Sequence, residues 1–123
     1  MTKKNRKKIA ALADIHIKVT DKGRWVDCFT NISKAADILL ICGDLTDTGD
    51  EDEARVLAEE LKSCSIPVIG VLGNHDYEKG RQKLIRQILQ ENNMILLDGE
   101  AVVIENIGFA GIKGFGGGFD NYM

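Results

Sequence analysis

The chain has one proline, Pro67, and only two histidines, His16 and His75, among its 123 residues. With so little proline and no low-complexity stretch, no long linker divides it, and its length suits a single domain over residues 1–123. Cysteine is scarce and odd in number. Cys28, Cys42 and Cys64 lack C-x-x-C spacing, which excludes a disulfide framework and a zinc ribbon. Each lies in an apolar pattern, so buried free thiols in a reducing cytoplasm are expected. No apolar run approaches the ~20 residues of a membrane span. The run that opens at Ile9 is too short for a signal peptide. A formal net charge of −3 weighs against a general nucleic-acid binder. Nucleic acid is left only as a possible substrate.

What is present is the composition of a folded globular protein, 44% hydrophobic and 28% charged. The charge is uneven. Lys3, Lys4, Arg6, Lys7 and Lys8 form a basic start, read as a solvated tail over residues 1–8. Six acids crowd between Asp44 and Glu53.

Short apolar runs alternate with helical patterns. Ile9 to Ala13 has no polar alternation and reads as a first strand buried on both faces. Trp25, Cys28, Phe29, Ile32 and Ala36 recur at spacings of three and four, a helix stripe over about Lys22 to Ala36. Ile38 to Cys42 is a second strand. Asp50 followed by Glu53 is a capping box, opening a helix that runs to about Cys64. Pro67 starts a third strand, Val68 to Leu72, where its missing N–H is tolerated. A third helix covers about Lys79 to Glu91. Met94 to Leu97 and Ala101 to Ile104 flank Asp98-Gly99 and read as a hairpin, with one more strand at Phe109 to Ile112. The fold class is therefore α/β: a mainly parallel sheet of βαβαβ type followed by an antiparallel hairpin.

Ligands of such sheets gather at the carboxyl ends of the strands. The first strand ends in Asp14-Ile15-His16, the second in Gly43-Asp44-Leu45-Thr46-Asp47, the third in Gly73-Asn74-His75-Asp76. In an extended segment Asp14 and His16 point to one side and could share an ion. Asp44 has two oxygens and could bridge two ions, and Asn74 offers a neutral carbonyl oxygen. Mixed oxygen and imidazole donors suit Mn, Fe or Zn. Two divalent ions bring about four positive charges. Asp14, Asp44 and a bridging hydroxide remove three, leaving a cationic centre that favours a phosphate ester as substrate. Asp47 reads equally as a support for the ligands or as a turn residue.

These residues resemble the calcineurin-like metallophosphoesterase family, whose pattern runs D-x-H, G-D-x-x and G-N-H-[DE] in this order. Asp14-Ile15-His16, Gly43-Asp44 and Gly73-Asn74-His75-Asp76 match it without substitution. The resemblance implies two divalent transition-metal ions. Asp14 and His16 would hold the first, Asp44 would bridge, and Asn74 would bind the second. It implies that His75 is not a ligand but donates a proton to the leaving oxygen, with Asp76 orienting its imidazole. A hydroxide between the ions would attack phosphorus in line.

The family pattern continues with a further His and a G-H-x-H motif, and this chain has neither. Asp14, His16 and Asn74 supply one bond each and Asp44 two, five where two ions need about ten to twelve. The family fold is an αββα sandwich of two similar halves, and this chain corresponds to one. It stops in the glycine-rich run from Gly114 to Phe119. The expectation is a truncated metallophosphoesterase domain with one sheet face bare, completed by a complementary second half of the fold. The alternative is a catalytically inactive metal-binding or regulatory fragment. A flavodoxin-like receiver or nucleotide binder fits poorly, because receivers lack Asn-His-Asp at the third strand and no P-loop is present.

Overall fold

The computed structural model describes residues 6–113. Strands β1 (Ile9–Leu12), β2 (Ile38–Cys42), β3 (Val68–Val71) and β4 (Met94–Leu96) form one sheet in the order β1-β2-β3-β4, every neighbour parallel. Helices α1 (Val26–Ala35), α2 (Glu51–Glu60) and α3 (Gln82–Glu91) make the crossovers. Strands β5 (Glu100–Ile104) and β6 (Ile107–Gly111) pair antiparallel as a separate hairpin.

Alternation along the strands sends side chains to two faces. Leu39, Ile41, Val68, Met94 and Leu96 pack with Phe29, Leu57, Ile85 and Leu89 of the helices into the main core. Ile38 and Ile69 face the other way and pack with Leu97 against Val102, Ile104, Ile107 and Phe109 of the hairpin. The face expected to be bare is thus partly covered. Its uncovered portion lies toward β1, where Ile9, Ala11 and Cys42 are exposed.

Several expectations need correction. β1 is an edge strand, not one buried on both faces, and Ile9 is 43% exposed. Met94–Leu96 is the fourth parallel strand rather than half of a hairpin around Asp98-Gly99. A type I′ turn needs positive φ at both central residues. Only Gly99 has it in that pair, whereas Glu105 (56°) and Asn106 (67°) both do, and the hairpin closes there. Helix α1 begins later than its stripe suggested, because Val19–Asp21 forms a separate 3-10 turn and Trp25 sits at the N-cap, stacked on Phe29. The thiols are free as expected, yet Cys42 is exposed and Cys28 and Cys64 only half-buried. Lys8 is no free tail: its N–H donates to Asp37 Oδ2 and its carbonyl accepts from Asp37 N–H. The glycine-rich run from Gly114 lies outside the described residues.

Two buried carboxylates brace the helical layer. Glu53 completes the capping box, accepting from Asp50 N, Thr48 N and Thr48 Oγ1. Glu60 reaches from the end of α2 to the start of α1 and accepts from Gly23 N at 2.9 Å and Trp25 N at 2.8 Å. Glu60→Ala strands two amide donors, and an unsatisfied group costs about 1–3 kcal/mol. Urea unfolding is expected to show a loss of about 2–3 kcal/mol with an unchanged m-value.

Candidate metal and phosphate site

The three motifs do meet at the carboxyl edge of the sheet. Asp14 N donates to Gly43 O at 3.2 Å, His16 N to Asp44 O at 3.0 Å and Ile17 N to Leu45 O at 3.0 Å, so the first loop runs along the second. Ile17 and Leu45 are fully buried and pin both loops to the core. The backbone between these anchors is not extended. Asp14 (φ 55°), His16 (φ 45°) and Asp44 (φ 50°) are all left-handed, a conformation that costs an L-residue about 1–2 kcal/mol. Such strain persists only where surrounding structure imposes it, and it concentrates at functional sites.

That backbone changes which side chains gather. His16, Asp44 and His75 each bring one ligand atom within 4.8 Å of the others. The two imidazole rings meet edge to face, centroids 4.5 Å apart. Asp14 is exposed and stands outside this group. The period-two argument that paired it with His16 fails because neither residue is extended. Asn74 is exposed at the start of the 3-10 turn His75–Tyr77, next to Asp44, whose Oδ1 accepts from His75 N at 2.8 Å. One imidazole pair plus a carboxylate is a donor set for a borderline transition-metal ion, so the residues present fit one ion.

The structure reassigns Asp76. Its carboxylate does not orient the His75 ring. It is fully buried and accepts four hydrogen bonds. Oδ1 takes Thr46 N (2.8 Å) and Thr46 Oγ1 (2.6 Å); Oδ2 takes Leu45 N (3.0 Å) and Gly73 N (2.8 Å). It ties the second-strand loop to the third-strand loop. His75 Nδ1 instead lies 2.7 Å from the backbone carbonyl of Asp47. A carbonyl only accepts, so Nδ1 carries the proton and Nε2 is left for other work. Asp47 thus serves through its main chain, while its Oδ1 lies 3.6 Å from His16 Nδ1.

The bond to the Asp47 carbonyl holds the His75 imidazole above its ordinary value. Partial burial opposes this, and the carboxylates of Asp44, Glu78 and Asp47 add to it.

Two glycines set the clearances. A Cβ on Gly73 would overlap Asp44 N and Oδ1. A Cβ on Gly49 would meet the His75 carbonyl at 2.6 Å. The supporting roles of Thr46 and Gly49 were not foreseen from sequence. A Thr and a Gly in G-D-L-T-D-T-G were a signal of a tight, hydrogen-bonded loop, without saying which carboxylate they served.

Comparison with known proteins shows the family. The sequence pattern of the calcineurin-like phosphoesterases matches residues 7–120. The chain belongs to this family. It is also similar to a probable glycerophosphodiester phosphodiesterase GpdQ from Arcobacter nitrofigilis, at 30% identity over 87 residues. That alignment covers 68% of this chain and 32% of the relative, so the chain spans about a third of the length of that protein.

Two outcomes are expected. Asp76→Asn turns an NH2 toward two N–H donors and costs about 3 kcal/mol in denaturant unfolding, whereas Thr46→Val removes one of four bonds and costs about 1 kcal/mol. In metal-free protein, His75 titrates above about 6.5 by NMR. Because the folded value is raised, its contribution to stability is full below the ordinary value and is lost as pH rises through the raised one. A His75 titration below about 6.5 contradicts the Asp47 hydrogen bond.

Proposed function

We propose that this family member hydrolyses phosphate mono- or diesters at the site formed by the three strand-end loops. The observation that carries the reading is the convergence of His16, Asp44 and His75 on one point at the sheet edge. His16 and Asp44 would hold a divalent transition-metal ion, Mn, Fe or Zn, with Asp14 and Asn74 of the same loops as further ligands once their side chains turn inward, and the metal would supply Lewis-acid polarisation of the phosphoryl group.

The chain's own residues then divide the work. Asp44 stands between the first and third loops and carries negative charge into the centre. His75 keeps its Nδ1 proton on the Asp47 carbonyl and presents Nε2 outward, where a protonated ring gives a proton to the leaving oxygen. Asp76 holds the two loops in register through Thr46 and Gly73. The cationic form of His75, favoured by nearby carboxylates, also attracts a phosphate. The name of the relative supports a diester as substrate. The free thiols support a reducing compartment such as the cytoplasm, and no helix among the described residues is long and apolar enough to cross a membrane.

The remaining ligands of a dinuclear centre would come from a complementary second half of the fold. The exposed sheet face around Ile9, Ala11 and Cys42 supports this.

The test is hydrolysis of bis-p-nitrophenyl phosphate and p-nitrophenyl phosphate with Mn²⁺. Asp44→Asn is expected to lower kcat/KM at least ~100-fold, beyond the effect of losing a supporting residue, and full activity in that variant sinks the proposal. His75→Asn is expected to lower kcat ~10²–10⁴-fold and to raise KM. A second reading, one ion bound without turnover, is favoured by the single three-residue cluster. Manganese binding at one equivalent with no hydrolysis of either ester would support it.

A further inference from the structure

Along the carboxyl edge of the sheet, the loops that carry the site follow β1, β2 and β3. Next in order stands β4, and beside its end lies a cavity of about 280 Å³. Adjacent strands are about 4.8 Å apart, so the cavity is a neighbour of the catalytic loops. Two residues join them directly. Leu72 immediately precedes Gly73, and Tyr77 closes the same 3-10 turn that opens with His75. Tyr77 thus belongs both to the turn that carries His75 and to the cavity lining.

The chemistry of the lining is specific. Leu96 and Leu97 give an apolar floor and the Tyr77 ring a wall. Lys113 Nζ lies over that ring, 5.1 Å from its centroid. Lys83 and Arg86 project from the first turns of α3 into the same lining. Three cations thus face one lining carboxylate, Asp98. Arg86 is already engaged by Glu100 and the Leu96 carbonyl. Lys83 and Lys113 form no ion pair among the described residues. Gln82 Oε1 is buried at this lining with no hydrogen-bond partner, and buried polar atoms are normally satisfied.

We propose that this cavity receives the alcohol portion of the ester and selects an alcohol bearing both a hydroxyl and an acidic group, carboxylate or phosphate. The role in substrate choice rests on the hydrolytic reading above. The hydroxyl donates to Gln82 Oε1, which can only accept. The acidic group neutralises Lys83 and Lys113. The carbon chain lies on Leu96, Leu97 and the Tyr77 face. A pocket of this size suits a small polyol acid rather than a bulky lipid.

The experiment is an NMR titration of the ¹⁵N-labelled, metal-free full chain with glycerate, glycerol 1-phosphate and glycerol. Metal-free protein is used, and the His75 amide reports any phosphate drawn to the strand-end site instead. Both acids are expected to shift the Tyr77, Gln82 and Lys83 amides. Glycerol is expected to do so at least fivefold more weakly. Lys83→Glu is expected to weaken both acids at least fivefold, with Lys83→Arg restoring them. If glycerate binds and glycerol 1-phosphate does not, the acidic group is a carboxylate, and the reverse assigns a phosphate. No shift at these amides with either acid, or equal binding of glycerol, overturns the proposal. Hydrolysis of bis-p-nitrophenyl phosphate is measured in parallel as the separate check on catalysis. Turnover without acid binding removes the cavity's role and leaves the reaction. Acid binding without turnover leaves the cavity's ligand assigned and removes the reaction.

Discussion

The site depends on one carboxylate that never faces it. Asp76 is fully buried and accepts four hydrogen bonds from two loops that arise on different strands. An ionised carboxylate out of water is costly unless donors replace its hydration, and Leu45, Thr46 and Gly73 supply them. The consequence is mutual. The loops satisfy the buried charge, and the charge holds Asp44 and His75 at a fixed separation, with Asp44 Oδ1 on His75 N at 2.8 Å. Left-handed backbone at Asp44 lies in the loop that Asp76 holds, and Asp14 and His16 are tied to that loop by backbone bonds to Gly43 and Asp44.

The second constraint is tautomeric. With Nδ1 donating to the Asp47 carbonyl, His75 has a single nitrogen to offer, and its ring cannot swing freely. A backbone carbonyl carries only a partial charge, so it steers the ring without neutralising the imidazolium. The surrounding carboxylates of Asp44, Glu78 and Asp47 favour the proton further. A group with this profile can both attract a phosphate and protonate a leaving oxygen.

The architecture places the three motifs at an edge. Parallel strands in the order β1-β2-β3-β4 present every carboxyl end on one side. Helices cover one face and the hairpin covers part of the other. The edge itself needs no apolar burial, so it can carry charge. β4 extends that edge beyond the three motif-bearing loops, which is how a cationic cavity comes to lie beside Tyr77.

Much of this was legible in the residues. Alternating apolar runs and helical stripes gave the order β-α-β-α-β-α, and the capping box at Asp50 and Glu53 forms as its spacing indicated. The motifs Asp14-Ile15-His16, Gly43-Asp44 and Gly73-Asn74-His75-Asp76 marked the family and the three strand ends, because chemistry of this kind needs those side-chain types at those places. What the residues did not disclose were dihedral angles and partners. Left-handed φ at Asp14 and His16 breaks the period-two geometry that an extended strand would have. The Asp98-Gly99 pair looks like a hairpin turn, yet Glu105-Asn106 has positive φ at both positions and takes that role. Asp76 lies beside His75 in the chain, yet it bonds Leu45, Thr46 and Gly73 instead of the imidazole. Local propensity determined the elements, and the residues themselves determined which polar groups stand at the strand ends. Only the tertiary structure decided which oxygen each donor would find, because that choice depends on how loops from separate strands satisfy one buried charge.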